Sequence, residues 1–314
     1  MNRLAGFTLV ELMLALALGG LLLTGFVSLH GQAGAISREV QVSADLQDTV
    51  RLALAYLETD LLQAGFLGSG PRGTPISGSA GPDDPVVVGV AGDCGPNFSL
   101  ELGQSVAGRN GVFDLACSPY GGSSVDGSDV LIVRRADAQS KSRDPGRLQL
   151  ATALSGAQLL APADSVAVGG GPGDPVEIRD LVVSVYYVSR RSSGDPGRPS
   201  LRRKLLGAGP RIRDEEIAPG VRDLQLLFGL DLDPPGSPGA GSADLFVHGD
   251  DPRLTTATPI VAARVWLLAE SGRRDGRNSR PLPAYADRPA GDREAGRRLL
   301  VSRSYALANP AMRQ

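Results

Sequence analysis

The sequence predicts an α+β fold, with one long amino-terminal helix packed on a largely antiparallel β-sheet domain. Three observations carry this expectation. A continuous apolar run stands near the amino terminus, and an amphipathic stretch of helical period follows it. From about residue 66 onward the chain breaks into short β-type runs between turn clusters, with no second helical stretch between them. The chain has 314 residues, of which 42% are hydrophobic, enough to bury a substantial core. Its 41 glycines and 23 prolines exceed the usual combined share of roughly 12%, which predicts many turns and long loops. The formal net charge of −2 lacks the basic excess of nucleic-acid-binding domains. With only His30 and His248 there is little material for histidine-dependent catalysis.

The apolar run extends from Phe7 to Leu29, and Glu11 is its one charge. As a helix it would span about 35 Å, more than a hydrocarbon core of roughly 30 Å. A secretory signal peptide places a shorter apolar stretch before its cleavage site. Here the order is reversed: the short leader MNRLAG, with Arg3, comes first and the apolar segment follows Gly6. A carboxylate inside a membrane span costs a few kcal/mol and marks a specific partner. Glu11 lies four residues after Phe7, on the same helix face. A cut between Gly6 and Phe7 would create an α-amino group in the same apolar layer, able to neutralise Glu11 of its own chain or of a neighbour. The competing reading is an ordinary signal anchor whose Glu11 snorkels to the nearby interface.

The frame Gly6-Phe7-Thr8-Leu9-Val10-Glu11-Leu12 resembles the class III signal of type IV prepilins and type II secretion pseudopilins. The resemblance implies cleavage after Gly6 by an inner-membrane prepilin peptidase and methylation of the Phe7 amine. It also implies an assembly role for Glu11, paired with the amino terminus of an adjacent pilin. Glycine before the cut leaves the scissile backbone open to close approach.

Beyond the membrane run, Val40, Leu46, Val50, Ala53, Leu54, Leu57 and Leu61 recur at helical spacing, with charged residues on the other faces. Gly65 is a plausible stop, so one helix is expected from Phe7 to Ala64, with weak points at Gly19, Gly20, Gly25, Gly31 and Gly34. The expected organisation is a cleaved leader at 1–6, a membrane or filament-core half at 7–29, an amphipathic half at 30–65 and a β-rich domain at 66–314. Three segments resemble the PilW-type minor pilins: Leu57-Glu58-Thr59-Asp60-Leu61-Leu62-Gln63-Ala64-Gly65-Phe66-Leu67-Gly68, the run Gly220–Asp231, and the strand Ile260–Leu268. With the leader, the resemblance implies a pilin-like fold.

Strands are expected at 86–90, 98–102, 129–135, 148–151, 178–189, 201–206, 221–231, 260–269 and 298–306, with Leu181–Val188 central because of its β-branched and aromatic content. Two sub-sheets fit the length. The connectors, including the arginine-rich 272–297, read as solvated loops, and that last one as mobile. Cys94 and Cys117 are too far apart for a CxxC pair. Outside the cytoplasm they would close one Gly-rich loop as a disulfide, and otherwise they are two buried thiols.

No G-x-S-x-G elbow surrounds any serine and no Walker sequence is present, so the chain is expected to be no enzyme and to need no cofactor. Asp231 and Asp233, with Asp244, Asp250 and Asp251 nearby, are weak calcium candidates, but they lack the EF-hand register and read first as a solvated acidic turn. Arg202, Arg203 and Lys204, with Arg211 and Arg213, form a basic strip offset by Asp214, Glu215 and Glu216. It reads as a charged strand face rather than a surface for DNA.

The resemblance implies a minor pilin that helps prime a type IV pilus and stays in it, at the tip. Implied partners are other minor pilins, the major pilin, the prepilin peptidase, the inner-membrane assembly platform and a tip adhesin. The implied location is the bacterial inner membrane with the carboxy-terminal domain in the periplasm, then the cell surface. A J-type pseudopilin of type II secretion, and a membrane-anchored binding module or enzyme, are the alternatives.

Overall fold

The computed structural model describes residues 8–68, 70, 75–272, 281–291 and 296–308. Gly6 and Phe7 lie outside these residues, as do 273–280 and 292–295 of the arginine-rich connector. The chain divides into two compact units, Met1–Asp45 and Leu46–Gln314. Helix α1, Leu9–Leu62, contributes to both.

In the first unit the span Leu9–Ser28 is apolar and exposed on all sides, from Leu9 at 75% to Phe26 at 65%. A helix that is apolar all round belongs in a membrane or in the core of an assembly. The helix continues through Gly19, Gly20, Gly25 and Gly34, where the sequence suggests weak points. Val40, expected to join the buried row, is exposed; that row begins at Leu46.

In the second unit Leu46, Val50, Ala53, Leu54, Leu57, Asp60, Leu61 and Ala64 are buried on one helix face. The helix ends two residues earlier than expected. Gly65 adopts φ 72°, the left-handed conformation that closes helices, and its N–H donates to the Arg134 carbonyl at 3.2 Å.

The β domain contains two sheets, as its length allows. The eight-stranded sheet comprises β1 (Ile76–Ser77), β2 (Val106–Arg109), β3 (Val130–Ala136), β4 (Gln149–Ala153), β5 (Gly156–Leu160), β6 (Glu177–Ser189), β7 (Ser200–Gly207) and β8 (Arg211–Pro219). The four-stranded sheet has the order β10-β9-β11-β12, with β9 Val221–Leu230, β10 Leu245–Val247, β11 Ile260–Glu270 and β12 Arg298–Ala306. Every pairing is antiparallel except the short β1–β5 contact.

The 13-residue β6 is central: it pairs with β4 and β3 in succession, and with β7. Both faces of β3 and β6 are covered, so the runs Val130–Val133 and Leu181–Val188 do not alternate between buried and exposed residues. Val130, Ile132, Val183, Val185 and Tyr187 face a core shared with Phe98, Leu100 and Leu102. Tyr186 points the other way and bonds to α1.

Two expected strands are absent. Residues 86–90 form a loop with Val86 and Val87 exposed, and Phe98–Leu100 is a 3-10 turn. Pro96 and a left-handed Asn97 (φ 48°) break extension there. The Asn97 amide donates to the carbonyls of Gly81, Asp84 and Pro85 and so stitches the loop over the sheet. Strands β1, β2, β5, β8 and β10 were not expected; four are short, and β8 is masked by its charges.

Candidate assembly site

At the start of α1, Thr8 and Glu11 form a reciprocal cap. The Thr8 N–H and hydroxyl donate to Glu11 Oε2 at 2.9 and 3.0 Å, and the Glu11 N–H donates to Thr8 Oγ1 at 3.3 Å. This is the T-x-x-E capping box, which satisfies helix donors that have no intrahelical partner. Its T-x-x-E spacing is legible in the sequence. Glu11 is therefore a helix cap as well as the one acid of the apolar span.

In the second unit, a buried clasp joins α1 to the sheet. Asp60 Oδ1 accepts from Arg135 Nε and Nη2 at 2.9 and 2.8 Å, and Oδ2 accepts from the Tyr186 hydroxyl at 2.6 Å. Arg203 stands 3.8 Å from Oδ2 and stacks over Tyr56 of the helix. Burial, then the charge of Asp60, pushes the Tyr186 hydroxyl well above its usual range, so it stays protonated and donates.

The charged strip resolves into a ladder. Arg202, Arg203 and Lys204 on β7 stand directly opposite Glu216, Glu215 and Asp214 on β8. Arg202 bonds Asp214 and Glu216 and lies 3.6 Å from the centre of the Tyr120 ring; Lys204 donates to Asp214 at 3.0 Å. The side chains of Arg202 and Lys204 are buried, so these are paired interior charges rather than a basic surface. Arg134, also buried, donates to the Phe98 and Gln104 carbonyls and to Glu101, holding the 3-10 turn on the sheet.

A polar joint connects the sheets. Asp129 accepts from Gly111 N–H and Leu226 N–H, each at 2.7 Å, and its own N–H donates to the Leu224 carbonyl. Burial raises the Asp129 carboxyl to about 7, helped by the nearby charges of Asp287 and Asp223 and opposed by the two N–H donors. Asp223 accepts from Tyr285 at 2.8 Å and from Arg288 at 3.1 and 3.2 Å. The described part of the connector expected to be mobile, residues 281–291, is thus bonded to β9. Sequence reading missed this joint because its members come from segments as far apart as Gly111, Asp129, Leu226 and Arg288, with no motif linking them.

Cys94 and Cys117 form a disulfide beneath the loop that carries the 3-10 turn. Carboxylate oxygens of Asp231, Asp233 and Asp244 lie within 4.8 Å of one another. The loop's own backbone bonds two of them: Asp231 accepts from the N–H groups of Asp233 and Gly241, and Asp244 from that of Leu232.

Residues 185–309 match the family model for the type IV pilus-assembly protein W (PilW), and residues 1–27 match the prokaryotic N-terminal methylation motif. The first match runs from the middle of β6 to just beyond β12; the second contains Gly6, Phe7 and Glu11. No curated protein and no solved structure matches the chain.

Proposed function

We propose that this chain, which its two family matches identify as a class III prepilin-like pilin of the PilW type, is a minor pilin that primes pilus assembly and is retained at the tip. Maturation removes residues 1–6 and methylates the amine of Phe7. The precursor inserts with Arg3 on the cytoplasmic side, in accord with the positive-inside rule, and the β domain faces the periplasm. The apolar span then packs beside those of other pilins. The exposure of its apolar side chains from Leu9 to Phe26 supports this reading. The match over 185–309 favours the pilus over a J-type secretion pseudopilin.

The observation that carries the proposal is the single acid of the span, Glu11, placed five residues after Gly6. Glu11→Gln separates its two roles, because glutamine keeps the capping hydrogen bond and loses the charge. Surface filaments should fall at least tenfold in Glu11→Gln cells at unchanged protein level. Normal filament numbers would reject charge pairing as the assembly device. Intact mass of the membrane-extracted protein should show loss of MNRLAG and gain of one methyl, both dependent on the peptidase.

A further inference from the structure

The sheet edges of this molecule are treated unequally. Sheet edges expose rows of unpaired N–H and C=O groups, and proteins blunt them by shortness, charge or proline. Strands β1, β2 and β10 are two, four and three residues long. Strand β8 carries Arg211, Arg213, Asp214, Glu215 and Glu216 and ends in Pro219. Strand β12 is neither short nor interrupted by proline, and it is sparsely charged. It runs for nine residues in unbroken register with β11, without a bulge, and from Leu299 to Ala306 its one charge is Arg303.

Two backbone bonds that flank β12 fix which of its groups face outward. Leu307 N–H donates to the Val261 carbonyl, and Ser271 N–H donates to the Arg297 carbonyl. Antiparallel pairs alternate, so the odd-numbered residues of β12 bond to β11 and the even-numbered ones point away. No described residue pairs with the outward groups of Leu300, Ser302 and Ser304. Arg303 is exposed and has no hydrogen-bond or ion-pair partner among the described residues. Half-buried Leu299, Leu300 and Val301 supply apolar surface beside it.

We propose that the free edge of β12 is an interaction surface that receives an extended strand from another protein of the assembly, with an Asp or Glu side chain set against Arg303. Main-chain bonds to Leu300, Ser302 and Ser304 supply the affinity, and the unpaired guanidinium sets the register and the acidic character of the partner. The assignment rests on the pilin reading only for the identity of the assembly.

Proline at an outward position removes a donor without breaking a bond inside the sheet. Ser302→Pro should therefore fold, with a thermal midpoint close to that of the wild type. In cells it should be lost from sheared filaments at least tenfold, while Ser302→Ala is incorporated normally. Arg303→Glu should reduce incorporation to a similar degree. In the isolated full chain in detergent, the amides of Ser302 and Ser304 should exchange with solvent at least tenfold faster than those of Val301 and Arg303.

Slow exchange at Ser302 and Ser304 in the isolated chain, or normal incorporation of Ser302→Pro, would overturn the proposal. A detergent-solubilised dimer that Ser302→Pro dissolves would also overturn it, since the occupant would be a second copy. Deletion of the whole chain provides the control. If deletion leaves piliation normal the pilin reading fails, whereas normal incorporation of Ser302→Pro in a strain that needs the protein removes the edge assignment alone.

Discussion

Asp60 of the helix and Arg135 of β3 meet through two hydrogen bonds of 2.9 and 2.8 Å to a single carboxylate oxygen, with both side chains almost wholly buried. Removing one member of such a pair strands the other charge in a low-dielectric site. Asp60→Ala should destabilise the full chain by about 3–5 kcal/mol, because Arg135, Arg203 and the Tyr186 hydroxyl lose their shared acceptor. Asp60→Asn should cost less, since one amide oxygen still accepts. Chemical denaturation of the detergent-solubilised protein would measure both; equal small losses would show that the helix is held by apolar packing alone.

The joint at Asp129 predicts an unusual pH dependence. Its carboxyl is raised to about 7 by burial, so the folded chain holds a proton that the unfolded chain releases near pH 4. Its stabilising contribution is full below the unfolded value and is lost as pH climbs through about 7, at up to about 1.4 kcal/mol per unit. The thermal midpoint should therefore fall by several degrees between pH 5 and pH 8. Asp129→Asn should flatten that slope. A midpoint that rises with pH over this window would contradict the assignment.

Gly68 sits where the helix end passes the sheet. Its φ is +117°, and a Cβ there would lie 2.5 Å from Thr152 Oγ1 and 2.8 Å from Cγ2. Backbone strain and overpacking each cost about 1–3 kcal/mol, so Gly68→Ala should destabilise by about 2–6 kcal/mol. Adding Thr152→Ala should recover the steric part and leave the strain. A double-mutant cycle in denaturant reads that coupling directly; strict additivity would mean that the two residues do not collide.

The disulfide closes a 23-residue separation around the loop that carries Phe98 and Leu100. Chain-entropy arguments assign it about 3 kcal/mol. Cys94→Ala with Cys117→Ala, or reduction of the wild type, should lower the unfolding free energy by that amount and shift the denaturation midpoint down accordingly. Exchange should rise first at amides of the 3-10 turn, and uniform loosening across both sheets would show that the bond does not act through that loop.

Much of the architecture could be read in one dimension because the decisive signals are periodic. Leu46 to Leu61 recur every three or four residues, and that row is the buried helix face. Leu181–Val188 is dense in β-branched and aromatic residues, and it lies at the centre of the larger sheet. The Phe98 run failed because its alternation resembles a strand while Pro96 and Asn97 turn the backbone. Strand β8 was hidden because its charges find their partners only when Arg202, Arg203 and Lys204 of β7 lie beside them, a pairing that periodicity does not express.

The chain itself determined its long helix, its uncompensated acid behind Gly6 and its sheet-forming segments, because these depend on neighbours within a few residues. Tertiary contact alone decided that Asp60 meets Arg135 and Tyr186, that Asp129 joins two sheets, and that the outward backbone groups of β12 meet no described residue. Those outcomes depend on which distant segments become adjacent, and buried charge is tolerated only where the fold supplies its partner.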